Sequence, residues 1–265
     1  GAGAGSIVVD HGVENLLAGP LSGAIRVLAA PPQHFTTLGF EDARLGMKAP
    51  HISFSVRSDA AYFLKATLVG ILVGGLATGF HTGLDFLFSR YAALRLALGP
   101  GYMPYVVSMA ISAACVTGAF LLVRRVAPEA AGSGIQEIEG AMEDKRPLHW
   151  PRVLFAKFFG GLLALGSGLV LGREGPTIHM GAMTAEALSR SQDLSPDDHK
   201  GLLAAGAAAG LAAAFNAPLA AILFIVEETR RQFPFGYRTY MAVIIASILS
   251  AAITEQLTHI GPPLQ

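Results

Sequence analysis

The sequence predicts an all-α, polytopic integral membrane protein built of broken and tilted helices. Three observations carry this reading. The chain of 265 residues has a mean hydropathy of +0.49 and is 52% hydrophobic but only 14% charged, against about 25% charged residues in an average soluble domain. Residues 102–123 hold no charged side chain, and about 20 apolar residues suffice to cross the hydrocarbon core. The other apolar runs are interrupted by Gly and Pro. Irregular backbone at membrane depth survives only where it is buried in protein or lines a cavity. Interrupted hydrophobic segments therefore point to transport folds whose helix ends meet near the bilayer midplane.

Composition also excludes. A formal net charge of zero gives no reason to expect a nucleic-acid partner. The single cysteine, Cys115, rules out an internal disulfide framework and a cysteine-ligated metal cluster. No metal and no organic cofactor is implied. No cleavable signal peptide is visible in the first fifteen residues, which lack a basic start and a clean apolar stretch.

The N-terminal segment, residues 1–57, mixes short apolar pieces with Gly, Pro and His and carries no motif. The membrane region is read as residues 58–260. Ser58 and Asp59 suit a helix start before the run 62–88. Gly70, Gly74, Gly79 and Gly83 in that run form a small-residue face for close helix packing. The run exceeds the length needed to span, so tilt is expected. His81 and Asp85 near its end are read as interfacial. Gly99-Pro100-Gly101 is a turn. The uncharged run 102–123 ends at Arg124 and Arg125, which marks that end as cytoplasmic.

In residues 129–140, EAAGSGIQEIEG, Gly132 and Gly134 flank Ser133, which is read as the N-cap of the next helix. His149-Trp150-Pro151 marks an interface and a turn. The apolar run 153–171 is broken by Gly160, Gly161, Gly166 and Gly168. The stretch 169–180, LVLGREGPTIHM, organises the rest. Glu174 stands between Gly172 and Gly175, and Pro176 is read as the first residue of a new helix, where its missing N–H costs nothing. Backbone N–H groups at a helix start are unpaired and carry about half a positive charge, so such an end binds anions. An ionised Glu174 competes for that place, and a protonated one releases it. A carboxylate among apolar segments is costly and points to function.

Residues 191–200 read as an aqueous loop. The apolar run 201–226 breaks at Asn216-Ala217-Pro218, with Asn216 capping the second piece. Glu227, Glu228, Arg230 and Arg231 form the next aqueous boundary. Residues 241–253 begin a last helix that ends near 255–259. From sequence alone Glu228 reads as a boundary charge opposing Arg230 and Arg231. Arg173 needs an acidic partner if buried, with Glu139 or Glu137 as candidates. His179, five residues after Glu174, reads as a packing or interfacial residue rather than a proton relay.

Three stretches in this order resemble the CLC family of chloride channels and proton/chloride exchangers: GSGIQEIEG at 132–140, GREGP at 172–176 and AAGLAAAFNAPLAAILFIVEE at 208–228. The resemblance covers most of the chain. It implies a CLC-type fold of which this chain supplies one inverted-repeat half. It implies chloride transport, most simply proton-coupled chloride exchange, with a passive gated channel or a non-transporting fragment as alternatives. By the same resemblance Glu174 is the external gating and proton glutamate and Glu228 the internal proton glutamate. Ser133, Gly134 and Ile135 bind the anion together with Gly175, and Phe215 stands near the pathway. The partners implied are chloride, protons, membrane lipid, a missing second half-domain with further anion ligands, and a second copy in a homodimer. A bacterial inner membrane is the expected location. Gln136 departs from the proline common in the family and keeps an N–H at the helix start. A membrane hydrolase using Glu174 and His179 on a metal lacks an HExxH-type pair.

Overall fold

Why α6 is the hub follows from its sequence. From Gly201 to Ala214 every residue is buried and every one is Ala, Gly or Leu, and a helix that is apolar all round belongs inside. The computed structural model of the protein describes residues 56–190 and 194–258. The chain divides into Gly1–Phe54 and Ser55–Gln265. The first unit lies outside the described residues, and with it nearly all of the segment read as residues 1–57.

The regular elements among the described residues are all helices: α1 (Val56–Ala97), α2 (Met103–Val126), α3 (Ile135–Met142), α4 (Trp150–Gly166), α5 (Glu174–Ser189), α6 (Pro196–Phe215), α7 (Pro218–Glu228) and α8 (Tyr237–Thr258), with a single 3₁₀ turn at Pro128–Ala130. The all-α expectation holds for them. By length and composition α1, α2 and α8 can each cross a membrane. With 42 residues, α1 is about 63 Å long at 1.5 Å per residue, which exceeds a ~30 Å hydrocarbon core and accords with tilt.

Several expected boundaries move. The first helix runs past residue 88 to Ala97, and the last begins at Tyr237 rather than 241. Pro196 opens α6, so the second half of the expected loop at 191–200 is helix. Ser195 is its cap, accepting from the Asp198 N–H at 3.1 Å, and Asp197 and Asp198 suit the positive helix start. The break at 216–217 is present, but Asn216 ends α6 in the left-handed conformation (φ 51°), while Ala217 precedes α7. Asparagine tolerates that region because its short side chain bonds locally. His81, read as interfacial, is buried at 3% exposure; it stands in mid-helix because α1 continues for four more turns.

Glycine sets the packing distances. On α1, Gly70 and Gly74 let the backbone of α8 approach: a Cβ there would lie 2.7 Å from the Ala246 carbonyl oxygen or 2.8 Å from that of Ser250. Gly79, expected on the same face, meets nothing within 4 Å. Between α5 and α6 the contact is backbone on backbone. A Cβ on Gly181 or Gly206 would overlap the other glycine's carbonyl, and one on Gly210 would overlap that of Thr177.

Polar groups tie the aqueous ends. Arg238 of α8 reaches Asp59 of α1 at 3.2 Å and Asp198 of α6 at 3.3 Å. Glu186 on α5 takes His199 of α6 at 2.7 Å and Arg190 at 2.9 Å, and Arg190 also donates to the Leu148 carbonyl at 2.8 Å. Burial pushes the Glu186 carboxyl up, but these hydrogen bonds and the charges of His199 and Arg190 outweigh it and hold it below the usual carboxylate value.

Candidate functional site

Two helix starts meet in this structure, and each is shaped by glycine. The first follows Gly132-Ser133-Gly134. Gly132 and Gly134 have φ of 70° and 92°, a region open to glycine at little cost. The left-handed turn puts Gly134, not Ser133, at the N-cap of α3. This corrects the expected cap. Ser133 stands one residue earlier and is exposed, and its Oγ accepts the Ile135 N–H at only 3.4 Å. So weak a bond leaves both groups available to a further partner.

The second start is that of α5. Its first residue is Glu174, with Arg173 at the N-cap, so Pro176 is the third helical residue and not the first. Proline is tolerated there because the N–H groups of the whole first turn lack intrahelical partners. Thr177 Oγ1 donates to the Glu174 carbonyl at 2.8 Å and lies 3.2 Å from that of Arg173. Glu174 is half-buried at the positive end of its own helix. Its carboxylate folds back onto Gly172, where a Cβ would overlap Oε2.

The two starts touch. A Cβ on Gly175 would lie 3.1 Å from the Ser133 Cα and 3.2 Å from its carbonyl oxygen. An open cleft of about 540 Å³ runs past them, lined among others by Gly132, Ser133, Lys157, Gly172 and Gly175.

Lys157 was not singled out from the sequence. It lies in α4, 6% exposed, and its ammonium donates to the Gly132 carbonyl at 2.6 Å. Among the described residues no carboxylate pairs with it. A buried ammonium with one carbonyl partner and no acid is costly and favours an anion beside it. The signal was available: a lone lysine inside an apolar run.

His179 is fully buried, which accords with the packing half of its reading and not with the interfacial half. Its ring lies where a Gly134 side chain would go, overlapping at Cγ and Nδ1.

Ser133, Gly134, Ile135, Glu174 and Gly175 are thus brought together. Glu228 belongs to another group. It is the last residue of α7, exposed, beside Glu139. Burial, then the charges of Glu228 and Glu143, push the Glu139 carboxyl up, with Arg231 opposing. The expected pairing of Arg173 with Glu139 or Glu137 is not found. Arg173 is exposed, so it has no need of a buried partner. Glu137 instead accepts from Arg146 at 2.7 and 2.9 Å. Phe215 ends α6, half exposed.

Comparison with known proteins gives a consistent picture. The model of the voltage gated chloride channel family matches residues 113–264. The H(+)/Cl(-) exchange transporter ClcA of Vibrio vulnificus (strain YJ016) is 48% identical over 187 residues, covering 70% of this chain and 40% of that protein. ClcA of Vibrio parahaemolyticus serotype O3:K6 is 48% identical over 189 residues, covering 71% and 40%. Among solved structures, a slow cyanobacterial Cl-/H+ antiporter superposes with a TM-score of 0.71 at 36% identity, over 74% of this chain and 46% of that one. A eukaryotic CLC transporter superposes with 0.64 at 27% identity, over 79% and 40%. The chain therefore spans about two fifths of the length of the curated relatives it matches.

Proposed function

The chain belongs to the voltage-gated chloride channel family, and we propose that it forms one half of the pathway of a proton-coupled chloride exchanger. The observation that carries this is the buried Lys157 ammonium. Among the described residues it has no acid partner, and it is bonded to the loop where Ser133 meets Gly175. Two helix N-termini and an ammonium at one point favour an anion.

In this reading Ser133 Oγ and the N–H of Ile135 hold chloride, with Gly134 setting their geometry and Gly175 permitting the close approach. Glu174 is the gate. Ionised, it competes with the anion for the helix N-termini; protonated, it loses that attraction and swings aside. One side chain thereby couples proton uptake to anion movement. Glu228 hands protons to and from the aqueous side, and its neighbour Glu139 makes that corner acid-rich. The kinship to relatives named as H(+)/Cl(-) exchange transporters supports exchange over a passive channel.

The chain is an integral membrane protein. A second half-domain supplying further anion ligands, a homodimer with one pathway per subunit, and a bacterial plasma membrane complete the proposal. The exposed apolar side chains of α7, Leu219, Leu223 and Phe224, suit contact with lipid or with that second half. The test uses the full-length protein in liposomes. A chloride gradient should drive proton movement without an added proton leak. Chloride flux that moves no protons would make the protein a channel instead.

A further inference from the structure

The helix that carries Glu174 touches the Ser133 loop at two places. Gly175 abuts Ser133, and one turn further His179 fills the space under Gly134. Gly134 is the residue whose left-handed conformation directs the Ile135 N–H toward Ser133 Oγ. The side chain beneath it is therefore placed to set the geometry of both groups.

The identity of that side chain is the informative part. His179 is fully buried, and neither Nδ1 nor Nε2 has a hydrogen-bond partner among the described residues. A leucine would fill similar space without burying two polar nitrogens, and replacing unpaired polar groups by apolar ones is neutral or stabilising. Packing alone gives no reason for an imidazole. Buried polar groups held at a cost to stability cluster where they serve a site. The site it touches is the loop 132–134, which Lys157 holds from α4 through the Gly132 carbonyl.

We propose that His179 is a positioning residue of the anion site. Its imidazole fixes the Gly134 turn from below, and its polarity raises the loop's affinity for a small anion. This rests on the reading of Ser133 and Ile135 as anion ligands.

The experiment measures chloride binding to the purified full-length protein by calorimetry, with thermal unfolding of each variant alongside. His179→Leu keeps the volume and removes the polarity. It should lower chloride affinity about tenfold, or 1.4 kcal/mol, with thermal stability equal to or above wild type. His179→Gln, which restores a polar group, should recover most of the loss. Met180→Ala, a buried side chain on the same helix packed with Phe80 and Leu165, should lower stability and leave affinity unchanged. If His179→Leu does not fold, His179→Ala decides, with a loss at least as large expected. Wild-type chloride affinity in a folded His179→Leu or His179→Ala overturns the proposal, as does a His179→Gln no better than leucine. Ser133→Ala separates the two readings: if it binds chloride as wild type does, the site itself is misassigned, whatever position 179 does.

Discussion

The Glu174 carboxylate rests against the bare Cα of Gly172, in space that any side chain at 172 would take. The carboxylate and its seat are thus two residues apart in one short loop. Their contact depends on the absence of a single methyl group.

Gly172→Ala should therefore dislodge the carboxylate without touching its chemistry. The expected outcome is retained proton coupling with an altered pH dependence of flux, read in liposomes. Glu174→Gln should do the opposite: anion flux continues and proton movement stops. Unchanged coupling in the glutamine variant would remove Glu174 from the gate.

Lys157→Met should weaken chloride binding by at least about tenfold, since it deletes the buried charge and leaves the Gly132 carbonyl without its donor. Calorimetry on the purified protein checks this. Lys157→Arg, which keeps the charge on a bulkier head, should retain part of the affinity.

Gly206→Val puts a branched side chain where α5 and α6 meet through backbone. Overpacking typically costs about 1–3 kcal/mol, and here no flexible neighbour is present to yield, so a loss at the upper end is expected. Thermal unfolding in detergent and the yield of folded protein report it. Gly79→Ala, facing open space, serves as the tolerated control and should gain slightly from helix propensity.

The Glu186 cluster predicts an acid limit. With the folded carboxyl held below its usual value of 4.5, the carboxylate contributes stability that is present above that pH. The contribution is lost as pH falls through the lower folded value. Melting temperature should thus drop on acidification below about 4.5, and Glu186→Gln should show a lower plateau with a shallower decline. Equal slopes in the two proteins would count against the linkage.

Much of this was legible in the sequence because the signals are local. The uncharged run at 102–123, the break at 216–217 and the glycines around Ser133 and Glu174 each follow from residue type and spacing. What escaped depends on neighbours remote in the chain. Lys157 has a reason only once Gly132, 25 residues away, lies over it. Arg146 took Glu137, although Arg173 was the natural sequence candidate, because the turn after α3 folds back on that helix. The caps at Gly134 and Asn216 depart from expectation for a single physical reason. A left-handed residue at a helix end displaces the hydrogen-bonding side chain from the cap position, and backbone sign is not written in polarity.

The glycine seam between α5 and α6 leaves no slack for one rod to roll or slide along the other. The acid at the tip of α5 is thus mounted on a closely fitted post. With Glu174 as the proposed gate, passage beside it is granted by torsions of that one side chain, so this part of the machine works as a latch rather than a door.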